Sequence, residues 1–383
     1  MIKRHASVLG LIAAGALALT ACGSDTNNSP PAGGGGSGGT TSAAKVDCGG
    51  KKSINGDGSS AQGNAMSEFS AEYQKVCAGF TVAYNASSSG DGIKNFNAKQ
   101  VDFGGSDSPM SAAEITTATT RCSGNAPVHL PLVFGPVAIG YNLPGVTGLT
   151  VTPELIAKIF SGAIKTWSDP ALKAANSSAT LPDEPIAVIY RSGQSGTTDN
   201  FQKYLTAAAP SAWTKGAGKE FKGGVGEGKA KSADVASAVK GTEGGITYVE
   251  ASFAKSNSLG VAKIDSGSGG VELSDASAGK AISAAKVKGT GGDLTLDLEG
   301  LYGLKDAGAY PLVLVTYELV CSKGYDADTA KAIKAFLTVA ATTGQDNLSK
   351  VGYVPLPDEL RSKLKSSIDS IASAAQCIVD KTR

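Results

Sequence analysis

The chain has 383 residues, enough for two domains rather than one, because domains usually run to about 100 to 200 residues. Its 35 basic and 34 acidic residues leave a net charge of +1, and only 18% of residues are charged, so no electrostatic field exists to hold nucleic acid through its phosphates. Two histidines, His5 and His129, leave little material for a zinc site or a Ser/His/Asp machine, whereas 50 glycines announce many tight turns and close backbone approaches. The chain opens with Lys3, Arg4 and His5 ahead of an apolar run from Ala6 to Leu19, too short for a lasting membrane span but the right length for a secretory leader.

Leu19-Thr20-Ala21-Cys22 follows and resembles a bacterial lipobox, which implies removal of residues 1–21 as a lipoprotein signal peptide and lipid attachment at Cys22. Residues 22–45 hold no aromatic or large aliphatic side chain, so they cannot offset their ordering entropy and read as a flexible tether. Five cysteines remain: Cys48, Cys77, Cys122, Cys321 and Cys377. None forms a CxxC pair, which disfavours metal ligation and favours disulfides in an oxidising exterior. Cys48 with Cys77 and Cys122 with Cys321 are the favoured pairs, and Cys321 with Cys377 stays open.

From residue 52 onward, short β-rich runs alternate with helical patterns, the mark of an α/β architecture. A strand starts at Lys52-Ser53-Ile54, and Met66, Phe69, Tyr73 and Val76 then share one helical face. Strands are expected at Thr81 to Tyr84, Ile186 to Tyr190 and Gly245 to Val249. Helices are expected near Ile93, at 112–119, at Pro153 to Ile159, at Asp199 to Ala208, and near 326–343 and 357–375. A Gly/Lys-rich loop spans 215–231, and the polar segment 265–308 offers little core. Two long apolar stretches, Val128 to Tyr141 and Tyr310 to Val320, read as crossings between a domain built from 46–133 and 309–383 and a second built from 134–308. Such a discontinuous pair leaves a central cleft, where small ligands sit.

Three Ser/Gly-rich turns each lie between an expected strand and an expected helix: Asn55 to Ala61, Ser87 to Gly92, and Arg191 to Thr198. Free backbone N–H groups at a helix start, hydroxyls beside them and glycines that admit a ligand make an anion seat, although plain helix capping uses the same residues. Arg191 is always protonated and can fork onto an oxyanion, or else form a surface ion pair. Asp107 reads equally as a turn residue capping its own backbone. The stretch Gly223 to Ala230 nearly spells a nucleotide P-loop but ends in alanine where Ser or Thr is required. His129, in an apolar stretch, reads as a packed or solvated histidine rather than a catalyst.

The stretches INGDGSSA, SSSGDG, VDFGGSDSP, KTWSDP, YRSGQSGTTDNF, GGITYVEASFAKSNSL and VPLPDEL together resemble the phosphate-specific substrate-binding proteins of ABC importers, the PstS family, and most of all its actinobacterial lipoproteins. The resemblance runs from about residue 50 to 375. It implies a two-domain periplasmic-binding-protein-like fold of type II, with no catalysis, metal or cofactor. It also implies a lipid-anchored, monomeric receptor on the extracytoplasmic face of the cell membrane that passes inorganic phosphate to membrane permease subunits. Carried over by position, it implies that Ser60, the backbone of Ala61, Ser89, Asp107, Arg191, Ser195, Gly196 and Thr197 surround the phosphate. Ser60-Ala61 stands where many members have Thr-Phe, and Gly193 stands where many have an aspartate that steadies the arginine. An ionised Asp107 can only accept, so it suits the P–OH of phosphate and repels sulfate. The competing readings are a secreted phosphoester hydrolase using Ser60 or Ser195 as nucleophile, and a surface antigen or adhesin that keeps the fold without the ligand.

Overall fold

Serines and glycines at the ends of short strands decide how this fold begins, because they stop each strand and start the next helix. The computed structural model describes residues 46–303 and 305–374; the leader, Cys22, the tether and Cys377 lie outside the described residues. Strand β1 (Ser53–Ser59) leads to helix α1 (Gly63–Val76), β2 (Thr81–Ser87) to α2 (Ser89–Asn97), and β3 (Phe103–Ser106) to α3 (Ala112–Arg121). Both β2 and β3 pair parallel with β1, so the three carboxyl ends and the turns after them fall on one edge. Gly56 permits the packing in between, since a Cβ there would lie 2.3 Å from the Phe103 ring. The first Ser/Gly turn is shorter than its sequence suggests: extended pairing with β2 carries β1 through Gly58 to Ser59, leaving only Ser60 to Gln62 to turn.

Strand β4 (Pro127–Asn142) is 16 residues long. Its first half pairs antiparallel with the strand Val313–Cys321 and its second half with the strand Gly245–Glu250. The sheet is therefore continuous from β2 through β1, β3, Val313–Cys321 and β4 to Gly245–Glu250, Ala187–Arg191 and Glu227–Lys229. One hydrophobic core gathers Ile54, Phe69, Phe96, Phe103, Leu130, Val315 and Phe336; another gathers Val137, Ile156, Trp167, Phe201, Trp213 and Tyr248. The two meet where β4 passes from Phe134 to Val137. The segment 265–308, expected to carry little core, contributes Ala278, Ala281, Ile282, Leu294, Leu296 and Leu301 to the first core. Its helix Asp275–Ile282 turns alanines and an isoleucine inward beneath a polar outer face, so average composition hid the pattern.

The structure pairs Cys48 with Cys77 and Cys122 with Cys321, at Cα separations of 5.5 and 5.4 Å. Both bridges lie in the first core. The second closes a loop of 199 residues and so ties the far end of the strand Val313–Cys321 to the end of α3.

Candidate functional site

Every residue expected to touch an anion lies at or just past the carboxyl end of a sheet strand, the edge where α/β proteins bind ligands. Ser59 caps the turn after β1 by accepting from Ala61 N at 3.1 Å. Ser88 caps α2 by accepting from Asp91 N at 3.1 Å, and Ser195 caps the helix Gly196–Ala208 by accepting from Thr198 N at 3.2 Å. Capping consumes one of the four free N–H groups at a helix start and leaves the others aimed outward, so capping and anion binding coexist in these turns. The turns also touch each other. Gly90 N donates to Gln194 O at 2.9 Å, and Gly196 N donates to Ser89 Oγ at 3.1 Å. A Cβ at Gly196 would fall 2.5 Å from Ser89 Oγ and 2.6 Å from Asp107 Cβ, so only glycine allows this helix to abut the first core's turns.

Asp107, 1% exposed, is surrounded by hydroxyls. Its Oδ2 accepts from Ser59 Oγ at 2.6 Å and Ser89 Oγ at 3.2 Å, and its Oδ1 accepts from Thr316 Oγ1 at 2.7 Å. Asn200 Nδ2 donates to the Asp107 carbonyl at 2.7 Å and to the Gly196 carbonyl at 2.8 Å, locking the two turns together. Burial pushes the Asp107 carboxyl up to about 6, with nearby Glu250 adding to the rise while the Ser59 and Thr316 hydroxyls and the Arg191 charge oppose it. It is thus mostly an ionised acceptor at neutral pH.

Arg191, 2% exposed, ends its strand and is not the surface residue that one sequence reading allowed. Its Nε donates to Ala230 O at 3.0 Å and its Nη1 to Ser232 Oγ at 2.9 Å, while Nη2 reaches toward Ser87 O at 3.5 Å. Among the described residues no carboxylate forms an ion pair with it. A carbonyl and a hydroxyl orient this guanidinium, so its direction does not depend on an acid at position 193, where a Cβ on Gly193 would make only ordinary contact with Ser88 and the Ala230 carbonyl. Ser60 joins the same group from the first core: Ser232 N donates to Ser60 Oγ at 3.0 Å, and the two hydroxyls lie 3.1 Å apart.

The structure therefore gathers Ser60, Ser89, Asp107, Arg191, Ser195 and Gly196 in one buried zone. Two expected residues sit differently. The Ala61 N–H points to the Ser59 cap and its carbonyl accepts from Tyr353 Oη at 2.7 Å, while the Thr197 hydroxyl donates to Glu250 Oε1 at 2.6 Å. Sequence reasoning missed Ser59, Ser232, Thr316, Glu250 and Asn200. Ser232 had a legible signal, since the strand Glu227–Lys229 runs into the helix Ser232–Lys240 as the other strands run into theirs, but the Gly/Lys composition of 215–231 disguised it. Thr316 was visible as a hydrophilic position in an apolar run. His129 is buried, accepting from Met110 N on Nε2 at 3.0 Å and lying 2.7 Å from Asp293 on Nδ1.

A family model described as a PBP superfamily domain matches residues 30–343. The phosphate-binding protein PstS 3 of Mycobacterium tuberculosis is 48% identical over 373 residues, covering 97% of this chain and 100% of that protein. The chain belongs to the PstS family. Phosphate-binding protein PstS of Haemophilus influenzae is a more distant member, 33% identical with 82% of this chain and 92% of its own covered. Among solved structures, a high affinity periplasmic phosphate-binding protein, PfluDING, bound with phosphate, superposes with a TM-score of 0.66 at 24% identity, covering 82% of this chain and 93% of the other. The structure of a human phosphate binding apolipoprotein gives 0.66 at 21% identity with the same coverage. These structural likenesses show the fold, a two-domain periplasmic-binding-protein architecture of type II.

Proposed function

We propose that this protein captures inorganic phosphate between two lobes, each built on one of the two cores, and delivers it to the membrane permease of an ABC importer. One observation supports this most strongly: Arg191 is buried, fixed in direction and without an ionic partner among the described residues. A buried cation of that kind costs several kcal/mol unless an anion meets it, and the free N–H groups and hydroxyls around it suit a tetrahedral oxyanion. Asp107 then selects the oxyanion that carries a proton. Ser60, Ser89, Asp107, Arg191, Ser195, Gly196 and the backbone of Thr197 are the proposed contacts, with Ser59 and Ser232 holding them, while Ala61, whose N–H and carbonyl are engaged by Ser59 and Tyr353, lines the turn.

The lobes are proposed as residues 46–133 with 309–383, and 134–308, with the side chains of 278–301 packing on the first. A signal peptide at 1–21, a lipid on Cys22, a tether at 22–45 and a monomeric receptor on the extracytoplasmic face of the cell membrane complete the reading. A binding role rather than phosphoester hydrolysis is supported by His129, whose two ring nitrogens are engaged with Met110 and Asp293 and so give neither Ser60 nor Ser195 a base. Calorimetry with inorganic phosphate and with sulfate tests the proposal. Tight binding of phosphate alone at pH 7.5 is the expected result, and equal or absent binding of the two overturns it.

A further inference from the structure

The strand Val313–Cys321 crosses between the two cores, and Thr316 sits where its pairing changes. On one side Tyr317 faces Ser106 of β3, which places Thr316 level with Asp107 just past the end of that strand. On the other side the register slips: Thr316 faces Val133 and Tyr317 faces Pro131, so Leu132 is the extra residue of a bulge. A bulge re-aims the side chains beside it. Here the Thr316 hydroxyl donates to Asp107 Oδ1 at 2.7 Å with both residues buried. The other carboxylate oxygen is held by Ser59 and Ser89, which belong to the ligand turns themselves. Thr316 is the one hydroxyl donor to Asp107, among the described residues, that comes from the middle of a sheet strand, since Ser59 ends β1 and Ser89 starts α2.

We propose that Thr316 is a positioning residue for ligand selection: from the bulge of the crossing strand it keeps Asp107 an ionised acceptor, and so sets how acidic the medium becomes before the site stops demanding a proton from its ligand. This rests on the phosphate reading above. A hydroxyl donated to a carboxylate favours the charged form. The other charged or titratable groups facing Asp107 act through space. Arg191, from its strand in the second core, favours ionisation, while Glu250 opposes it; Glu318, on the same crossing strand, and Tyr84, on β2, are also coupled to it. None of these four donates a hydrogen bond to Oδ1 among the described residues, so loss of the Thr316 hydroxyl is left uncompensated there.

The test is calorimetric competition of phosphate against sulfate from pH 5 to 8.5 on the wild type, T316V and T316S. The preference for phosphate should decay as Asp107 protonates. In T316V that decay should begin about one pH unit higher, giving roughly fivefold less discrimination near pH 6, and T316S should restore the wild-type curve. An unshifted T316V curve, or a T316S curve displaced as far as that of T316V, overturns the inference. If the wild type binds no phosphate at any pH, the functional reading fails, and the inference is decided by the carboxyl carbon resonance of Asp107 titrated without ligand. An upward displacement in T316V sustains it and an unchanged titration removes it.

Discussion

The two halves of the site are built from opposite materials. The first core supplies an acceptor, Asp107, wrapped in Ser59, Ser89 and Thr316 hydroxyls and pushed by burial toward its neutral form. The second core supplies a cation, Arg191, and the amide end of the helix Gly196–Ala208. An acceptor can discriminate between oxyanions but attracts none of them, whereas a guanidinium attracts all of them and discriminates little. Affinity should therefore reside in the second half, and selectivity with its pH dependence in the first.

The largest effect should come from the second half. Arg191→Ala should weaken phosphate binding by about 3 to 4 kcal/mol, because the ligand charge would be buried without its counter-ion. Residual sulfate binding should fall by a similar factor, and calorimetry that found only one of the two anions affected would break the division. Asp107→Asn should act the other way round. An amide can donate to sulfate, so the phosphate-to-sulfate ratio should drop by about 2 kcal/mol while phosphate affinity itself changes less. A mutant that lost both anions equally would make Asp107 a structural residue of the turn.

The difference between the halves also explains what was legible beforehand. The strand–Ser–helix turns announced themselves because capping residues are local signals, and Ser59, Ser88 and Ser195 cap backbone groups within a few residues of where they stand. The apolar run from Val128 to Tyr141 was legible as one long strand, which β4 is, whereas the run from Tyr310 to Val320 becomes a strand only from Val313 to Cys321. Hidden from the sequence were the partners that only tertiary contact brings in. Ser232 is 41 residues from Arg191 and Thr316 is 209 residues from Asp107, and no period or spacing connects them. The groups that orient Arg191 without an acid at Gly193 were hidden in the same way, since Ala230 lies in a loop whose Gly/Lys composition suggested no function and Ser232 starts the helix just after it.

Glu318 extends the acidic character of the first half. It is fully buried on the crossing strand, opposite Gly105, and neither carboxylate oxygen has a hydrogen-bond partner among the described residues. Burial raises it to about 8, with Asp107 adding to the rise and Gln62 opposing it. A carboxyl whose folded pKa lies above its unfolded value stabilises the fold below the unfolded value and loses that contribution as pH rises through the folded one. Glu318→Gln should leave stability almost unchanged at pH 5. By pH 9 it should make the variant more stable than the wild type by on the order of 2 kcal/mol. Thermal melts in phosphate-free buffer check this, and parallel pH profiles for the two proteins would place Glu318 in contact with water or another donor.

The smallest expected effect sharpens the comparison most, because it separates the charge of Arg191 from its direction. Ser232 carries no charge and touches the guanidinium at Nη1, 2.9 Å away, while Ala230 O holds Nε at 3.0 Å. Ser232→Ala removes one of these two supports and the hydroxyl that lies 3.1 Å from Ser60 Oγ, while the Ser232 N–H still donates to Ser60. Net charge in the site stays the same, so long-range attraction and the salt dependence of association should not move. Affinity should fall by about 1 kcal/mol, the net worth of one hydrogen bond, and the loss should appear in the dissociation rate. Stopped-flow measurement of both rates decides the matter. A slower association with unchanged dissociation would mean that Ser232 guides the ligand inward, and the second half would then owe its affinity to more than a fixed cation.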